Sequence, residues 1–230
     1  MPDWQSYRLE DFVPFTAEVY LRLIERANEA FWPLHWATLA LGVVVLLLSL
    51  RGHGRLALAL LAPAWLASAF VFHFDHYAEL NWAASWFGRA FVVQAMLVLV
   101  VAARPALPLE ERKSGWPASI AGTALAALGT VGYPVVAVIA GSGWTQAEFF
   151  GLHSDPTAIA TLGIVMLVQR GIAQACLLVI PVAACLVATA TLIPLELAWA
   201  LLPLSAVVAC FLALVLDAVI RRRAAPGRPA

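Results

Sequence analysis

Residues 172–192 read IAQACLLVIPVAACLVATATL, an apolar run without one Asp, Glu, Lys or Arg. A helix needs about 20 such residues to cross roughly 30 Å of hydrocarbon, so this stretch reads as a membrane-spanning helix. Outward from it, six more apolar runs appear, at about 33–50, 56–74, 83–103, 117–140, 156–170 and 195–220. Composition says the same of the whole chain. Its 230 residues are 63% hydrophobic and 12% charged, with a mean hydropathy of +0.86, against roughly 45–50% apolar and about 25% charged in soluble domains. That balance excludes a disordered chain, a nucleic-acid binder and a secreted disulfide scaffold. Cys176, Cys185 and Cys210 all lie in apolar runs with no CxxC spacing, and read as small buried hydrophobes or free thiols.

The segment before the first run differs in kind. No apolar core of signal type precedes residue 33, so the N-terminus is expected to be retained. From Phe15 the apolar positions Phe15, Val19, Tyr20, Leu23, Ile24, Ala27 and Phe31 recur at helical spacing, with Glu18, Arg22, Glu25, Arg26 and Glu29 between them. This predicts an amphipathic helix along the membrane surface, with Thr16 as N-cap and Phe15 packed on Tyr20 as a staple. Within the fourth run, Gly122, Ala126, Gly129 and Gly132 offer small residues for close helix contact.

Orientation follows from the basic residues. Alternate ends hold Arg51 and Arg55; Arg104, Arg112 and Lys113; Arg170; and Arg221, Arg222, Arg223 and Arg228, ten in all, whereas the opposite loops near 75–82, 141–155 and 193–194 hold none. Cytoplasmic loops retain Lys and Arg, which places the N-terminus outside and the C-terminus in the cytoplasm. Trp32, Trp36, Trp82, Trp86, Trp144 and Trp199 then fall at outer ends, as an interfacial aromatic belt should.

In that topology His35, His73, His76 and His153 meet the outer boundary beside Asp75, Glu79, Glu148 and Asp155. If residues 73–79 are helical, His73, His76 and Glu79 share one face. With His153 they would suit a divalent transition metal, because imidazole plus carboxylate ligates zinc, copper or iron. The plainer alternative is a set of wetted helix-end residues pairing with Arg89. Arg89 and Gln94 lie in the third run, where charge must find a partner, and Asp75 or Glu79 is the expected one. The segment Gly151-Leu-His153-Ser154-Asp155-Pro156-Thr157 has the grammar of a helix start. The helix it begins has only about 13 residues before Arg170, roughly 20 Å at 1.5 Å each. Short helices with exposed N-termini are where transporters place substrate sites, so Arg89, Gln94, Asp155 and Thr157 are candidate substrate-binding residues. Asp217 is expected to pair with Arg221 one turn on. A phosphate loop and a nucleophile elbow are absent, and an enzyme is not the expected reading.

The stretch Asn28-Glu29-Ala30-Phe31-Trp32-Pro33, then Asn81, Phe87-Gly88 and Gln94, and the Gly151–Thr157 loop resemble the bacterial membrane family known as domain of unknown function 6064, over nearly the whole chain. In that family the late loop usually reads Cys-Pro-Thr where this chain has Asp155-Pro156-Thr157, so thiolate chemistry does not carry over. The resemblance implies the polytopic fold and, since members are sometimes labelled permease-like, transport; it implies no defined activity.

The expectation is therefore an all-α polytopic transmembrane bundle in a bacterial inner membrane. Residues 1–32 form an extracytoplasmic tail with its surface helix, 33–220 a bundle of about seven spans, and 221–230 a basic cytoplasmic tail. Its partners are the lipid bilayer and a small-molecule or ion substrate, with no nucleic acid. A small-solute or ion permease leads. The alternatives are a metal-binding protein or metalloenzyme using His73, His76, Glu79 and His153, and a non-catalytic scaffold.

Overall fold

The computed structural model describes residues 13–104 and 115–224; Arg112, Lys113 and Arg228, which enter the charge argument, lie outside them. The described residues are helical and contain no strand. Helix α1 spans Ala17–Ala30, and Thr16 caps it by accepting the Val19 N–H at 3.4 Å. Phe15 stacks on Tyr20 with ring centroids 6.1 Å apart, the expected staple. The helix buries Tyr20, Leu23, Ile24, Ala27 and Asn28 and exposes Glu18, Arg22, Arg26 and Glu29. A turn ending at Pro33 then bends the chain by 92° into α2, Leu34–Leu50, because proline has no N–H to continue a helix and favours starting one.

Helix α3 covers Gly54–Ala67 and runs on through a π-helical stretch, Ser68–Phe74, to a 3-10 turn at Tyr77–Glu79. Helix α4 is Ala84–Ala103. Helix α5, Trp116–Ala127, meets a π-turn at Leu128–Gly132 and resumes as α6, Tyr133–Ile139; the wide turn comes just before Pro134, where a regular helix would lack a donor. After a loop come α7, Ser154–Val168, α8, Gly171–Leu192, and α9, Leu202–Ala224.

Helix α7 is the axis of the molecule. Every residue from Asp155 to Met166 is buried, and α2, α3, α5, α8 and α9 all pack on it. A helix apolar all round has to be enclosed in this way. On the α5 side the approach is backbone to backbone: a Cβ on Gly129 would collide with Ala160, and one on Gly163 with Ala126. Gly122 and Gly129 thus serve the close contact expected of them, while the nearest atoms to a Cβ at Gly132 belong to Leu128 and Ala127 of its own helical stretch. On the α3 side, buried Trp65 donates from Nε1 to Thr161 Oγ1 at 3.0 Å.

Among the described residues five helical segments are long and apolar enough to cross a membrane, Gly54–Glu79, Ala84–Ala103, Trp116–Ile139, Gly171–Leu192 and Leu202–Arg223, and the bent pair α1–α2 makes six if it is one span. The runs at 33–50 and 156–170 form helices of 17 and 15 residues. At 1.5 Å per residue α7 rises about 22 Å, short of the roughly 30 Å of hydrocarbon. A helix enclosed by protein need not match that thickness. Trp32, Trp36, Trp82, Trp86 and Trp144 are exposed, as a belt requires, but Trp199 is buried in the turns before α9.

Candidate functional site

The N-terminus of α7 gathers the buried polar groups. Gly151 takes a left-handed φ of 75°, with Thr38 close beside it, and this turn brings its N–H to Thr157 Oγ1 at 2.8 Å. The Thr157 hydroxyl donates in turn to the His153 carbonyl at 2.6 Å. Asp155 therefore sits in the first helical turn, where the free N–H groups favour a carboxylate. Its Oδ2 accepts from Tyr133 Oη at 3.2 Å and its Oδ1 from Ser154 Oγ at 2.9 Å.

Glu148, in the loop before α7, is 2% exposed, and its Oε1 accepts from Tyr20 Oη at 2.9 Å. Its Oε2 has no partner. Neither acid forms an ion pair with a described residue. Burial above all, and then the charge of Asp155, push the Glu148 carboxyl well above its ordinary value of 4.5, against the opposing pull of the Tyr20 hydrogen bond. Burial beside a second carboxylate thus disfavours the charged form of Glu148.

Between α7, α8, α4 and the stretch after α3 lies a cavity of about 150 Å³. Asp155, Ser154, Thr191 and His73 are its polar lining, and the rest of the wall is aromatic and aliphatic, including Tyr20, Phe72, Tyr77, Phe87 and Phe91. His73 is 3% exposed and neither ring nitrogen has a hydrogen-bond partner among the described residues. Its ring lies edge-on to Phe91 with centroids 4.5 Å apart and is flanked by Phe72 and Phe87.

A wider cleft of about 670 Å³ opens beside α2 and α6, walled by Trp32, Trp36, Trp144 and Phe149, with Asn28 and His35 in its lining. Asn28, from the Asn-Glu-Ala-Phe-Trp-Pro run, donates to the carbonyls of Thr145 and Ala147, both at 2.8 Å, and its Oδ1 meets His35 Nε2 at 2.9 Å. Glu25 accepts from Thr145 Oγ1 and Gln146 Nε2. Helix α1 is therefore the brace that holds the Glu148 loop over α7.

His153 is fully buried. The Phe149 N–H donates to its Nδ1 at 3.1 Å, and its ring is 5.2 Å from that of Phe72. The accepting Nδ1 leaves the proton on Nε2, a buried donor without a partner. Burial lowers its pKa to about 3 and keeps it neutral.

The other expected residues are dispersed. The π-helical hydrogen bonds of Ser68–Phe74 and the break after them undo the three-residue spacing, so His73, His76 and Glu79 do not share a face. His73 points into the bundle; His76 has Nδ1 on the Val71 carbonyl at 2.7 Å; Glu79 is exposed and pairs with Arg26 at 3.3 Å. Among the described residues no three His, Cys, Asp or Glu side chains are grouped to hold a metal ion. Arg89 does not pair with Asp75 or Glu79. It is exposed and lies 4.5 Å over the Trp86 ring. Gln94 is buried and donates to the Leu177 carbonyl of α8 at 3.0 Å, away from the cavity lining. Thr157 shapes the loop. Of the eight residues singled out from sequence, Asp155 and His73 line the cavity. Tyr20, Tyr133 and Glu148 were missed as partners. Tyr20 was read only as an apolar-face residue and Tyr133 was not singled out, whereas Glu148, a lone acid among apolar neighbours in Ala-Glu-Phe-Phe, was noted only as a neighbour of the histidines.

The sequence pattern of a family of unknown function, DUF6064, matches residues 17–224, from the start of α1 to the end of α9, and the chain belongs to that family. No curated protein and no solved structure matches it significantly.

Proposed function

We propose that this DUF6064 protein is a multi-pass protein of the bacterial inner membrane that carries a small solute or ion, with Asp155 as the contact and Thr157 and Gln94 as supports for the helices around it. In this reading α1 lies at the outer face, the chain crosses seven times with the enclosed α7 as the fifth crossing, and the C-terminus is cytoplasmic. The one-sided distribution of basic residues supports the orientation. Arg89 then sits at the level of the outer headgroups, where a cation stacked on tryptophan is at home.

The observation that carries the transport reading is the buried, cation-free pair Glu148 and Asp155 beside a cavity at the N-terminus of a short, enclosed helix. Buried acids without cations cost stability, and inside membranes such groups mark solute and proton paths. Full-length protein reconstituted in liposomes and challenged with ions and small charged metabolites is expected to move at least one of them. Asp155→Asn, close in size and still able to accept from Tyr133, is expected to lower that flux about tenfold or more, the loss of a charged hydrogen-bond partner. No flux for any solute, or equal flux in the variant, would overturn the reading.

A further inference from the structure

The cavity at the head of α7 has room for few atoms and an uncommon mixture of walls. At about 150 Å³ it matches a space that holds one benzene-sized molecule. Asp155 contributes a carboxylate, and Phe72, Tyr77, Phe87 and Phe91 contribute aromatic rings. Both features favour a cation, because ring faces and carboxylate oxygens are negative. His73 adds a second requirement. It is nine-tenths buried, lines the same cavity, and has one donor and one acceptor nitrogen with nothing to bond.

Each class of small ligand can be weighed against these groups. An anion meets the like charge of Asp155. A hydrocarbon fills the aromatic wall but brings Asp155, hydrogen-bonded only by hydroxyls, no counter-charge and His73 no hydrogen bond. A quaternary ammonium suits the rings and the carboxylate but offers His73 no N–H. A protonated primary amine supplies charge to Asp155, an N–H to the accepting nitrogen of His73 and an alkyl chain to the rings.

We propose that this cavity is a binding site for a small protonated primary amine with a short alkyl chain, held by Asp155 and His73 within the aromatic wall. As the identity of a carried solute the proposal rests on the transport reading; as a binding site it is measured separately. The test is calorimetric titration of the purified full-length protein in detergent with propylammonium, tetramethylammonium and propionate chloride or sodium salts at equal ionic strength. Propylammonium is expected to bind saturably, tetramethylammonium about tenfold or more weakly for want of the His73 hydrogen bond, and propionate not at all. His73→Leu is expected to erase the preference for propylammonium over tetramethylammonium. Ala184→Leu, which adds bulk to the α8 wall without replacing a polar group, is expected to abolish binding. Absence of saturable propylammonium binding, equal affinity for tetramethylammonium, or unchanged binding in folded Ala184→Leu would overturn the proposal. Saturable binding with the stated preference but no flux in liposomes would support it while removing the transport reading. Flux of other solutes without amine binding would overturn it and leave transport standing.

Discussion

The two ends of α7 make opposite use of charge. Both obey the helix dipole, with acids at the N-terminus and a cation at the C-terminus. At the C-terminal end Arg170 reaches Asp217 of α9 at 3.1 Å, and Arg221 meets the same carboxylate oxygen at 2.8 Å. Asp217 is closed in from the far side, since a Cβ on Gly115 would collide with its Oδ1. Arg170 on this carboxylate ties the α7–α8 junction to α9, and Arg221, one turn on in α9 itself, adds a second cation. At the N-terminal end Glu148 and Asp155 have tyrosine and serine hydroxyls in place of cations, and a cavity lies alongside. The contrast separates a fastening from a site: paired charge holds helices together, whereas unpaired buried charge persists where something other than stability requires it.

Three measurements would break or sharpen this contrast. The largest effect is expected at the fastening. Asp217→Ala leaves Arg170 partly buried without its carboxylate, and loss of one partner of a buried pair costs about 3 kcal/mol, read as a clear fall in the thermal unfolding midpoint in detergent with little change in ligand binding. An unaltered midpoint would mean that the pair fastens nothing.

The second concerns pH at the opposite end. The folded-state pKa of Glu148 is raised by burial. Below its ordinary value of 4.5 the group is protonated in both states and its full contribution to stability is present. As pH climbs from there toward the raised folded value, the unfolded chain gives up its proton first, and stability falls by at most about 1.4 kcal/mol per pH unit. Glu148→Gln should remove that slope, so the difference in unfolding midpoint between variant and wild type grows from about pH 4.5 toward neutrality. A constant difference would show that Glu148 titrates as an ordinary surface acid.

The smallest effect is expected at Arg89. Exposed and stacked on Trp86, it should lose only about 0.5 kcal/mol on replacement by alanine, with unchanged flux. A large loss of flux would restore it to the substrate path.

Local signals were read correctly where the physics is local. The Thr16 cap and the Phe15–Tyr20 staple lie within five residues of each other, and the helix start at Ser154-Asp155-Pro156 is written in adjacent residues. Gly122 and Gly129 gave away a close contact because small side chains in an apolar run have little other use. Residues 73–79 were misread because a π-helical stretch has no compositional signature, and one wide turn rotates everything after it. Arg89 was assigned to a carboxylate because charge near an apolar run invites one; the stack on Trp86 depended on a rotamer. The pairs that build the two ends of α7 were out of reach. Tyr20 and Glu148 are 128 residues apart, and Arg170 and Asp217 are 47 apart.

Hydropathy adds up along a chain, so sequence alone determined that this protein is a bundle of apolar helices with a short fifth run and a charged, cap-bearing first helix. Which helix became the axis, and which polar groups share a cavity, depended on how far each helix is turned about its own length. That rotation is set by close packing among helices distant in sequence, such as α5 on α7 and α8 on α4, and only the tertiary structure decided it.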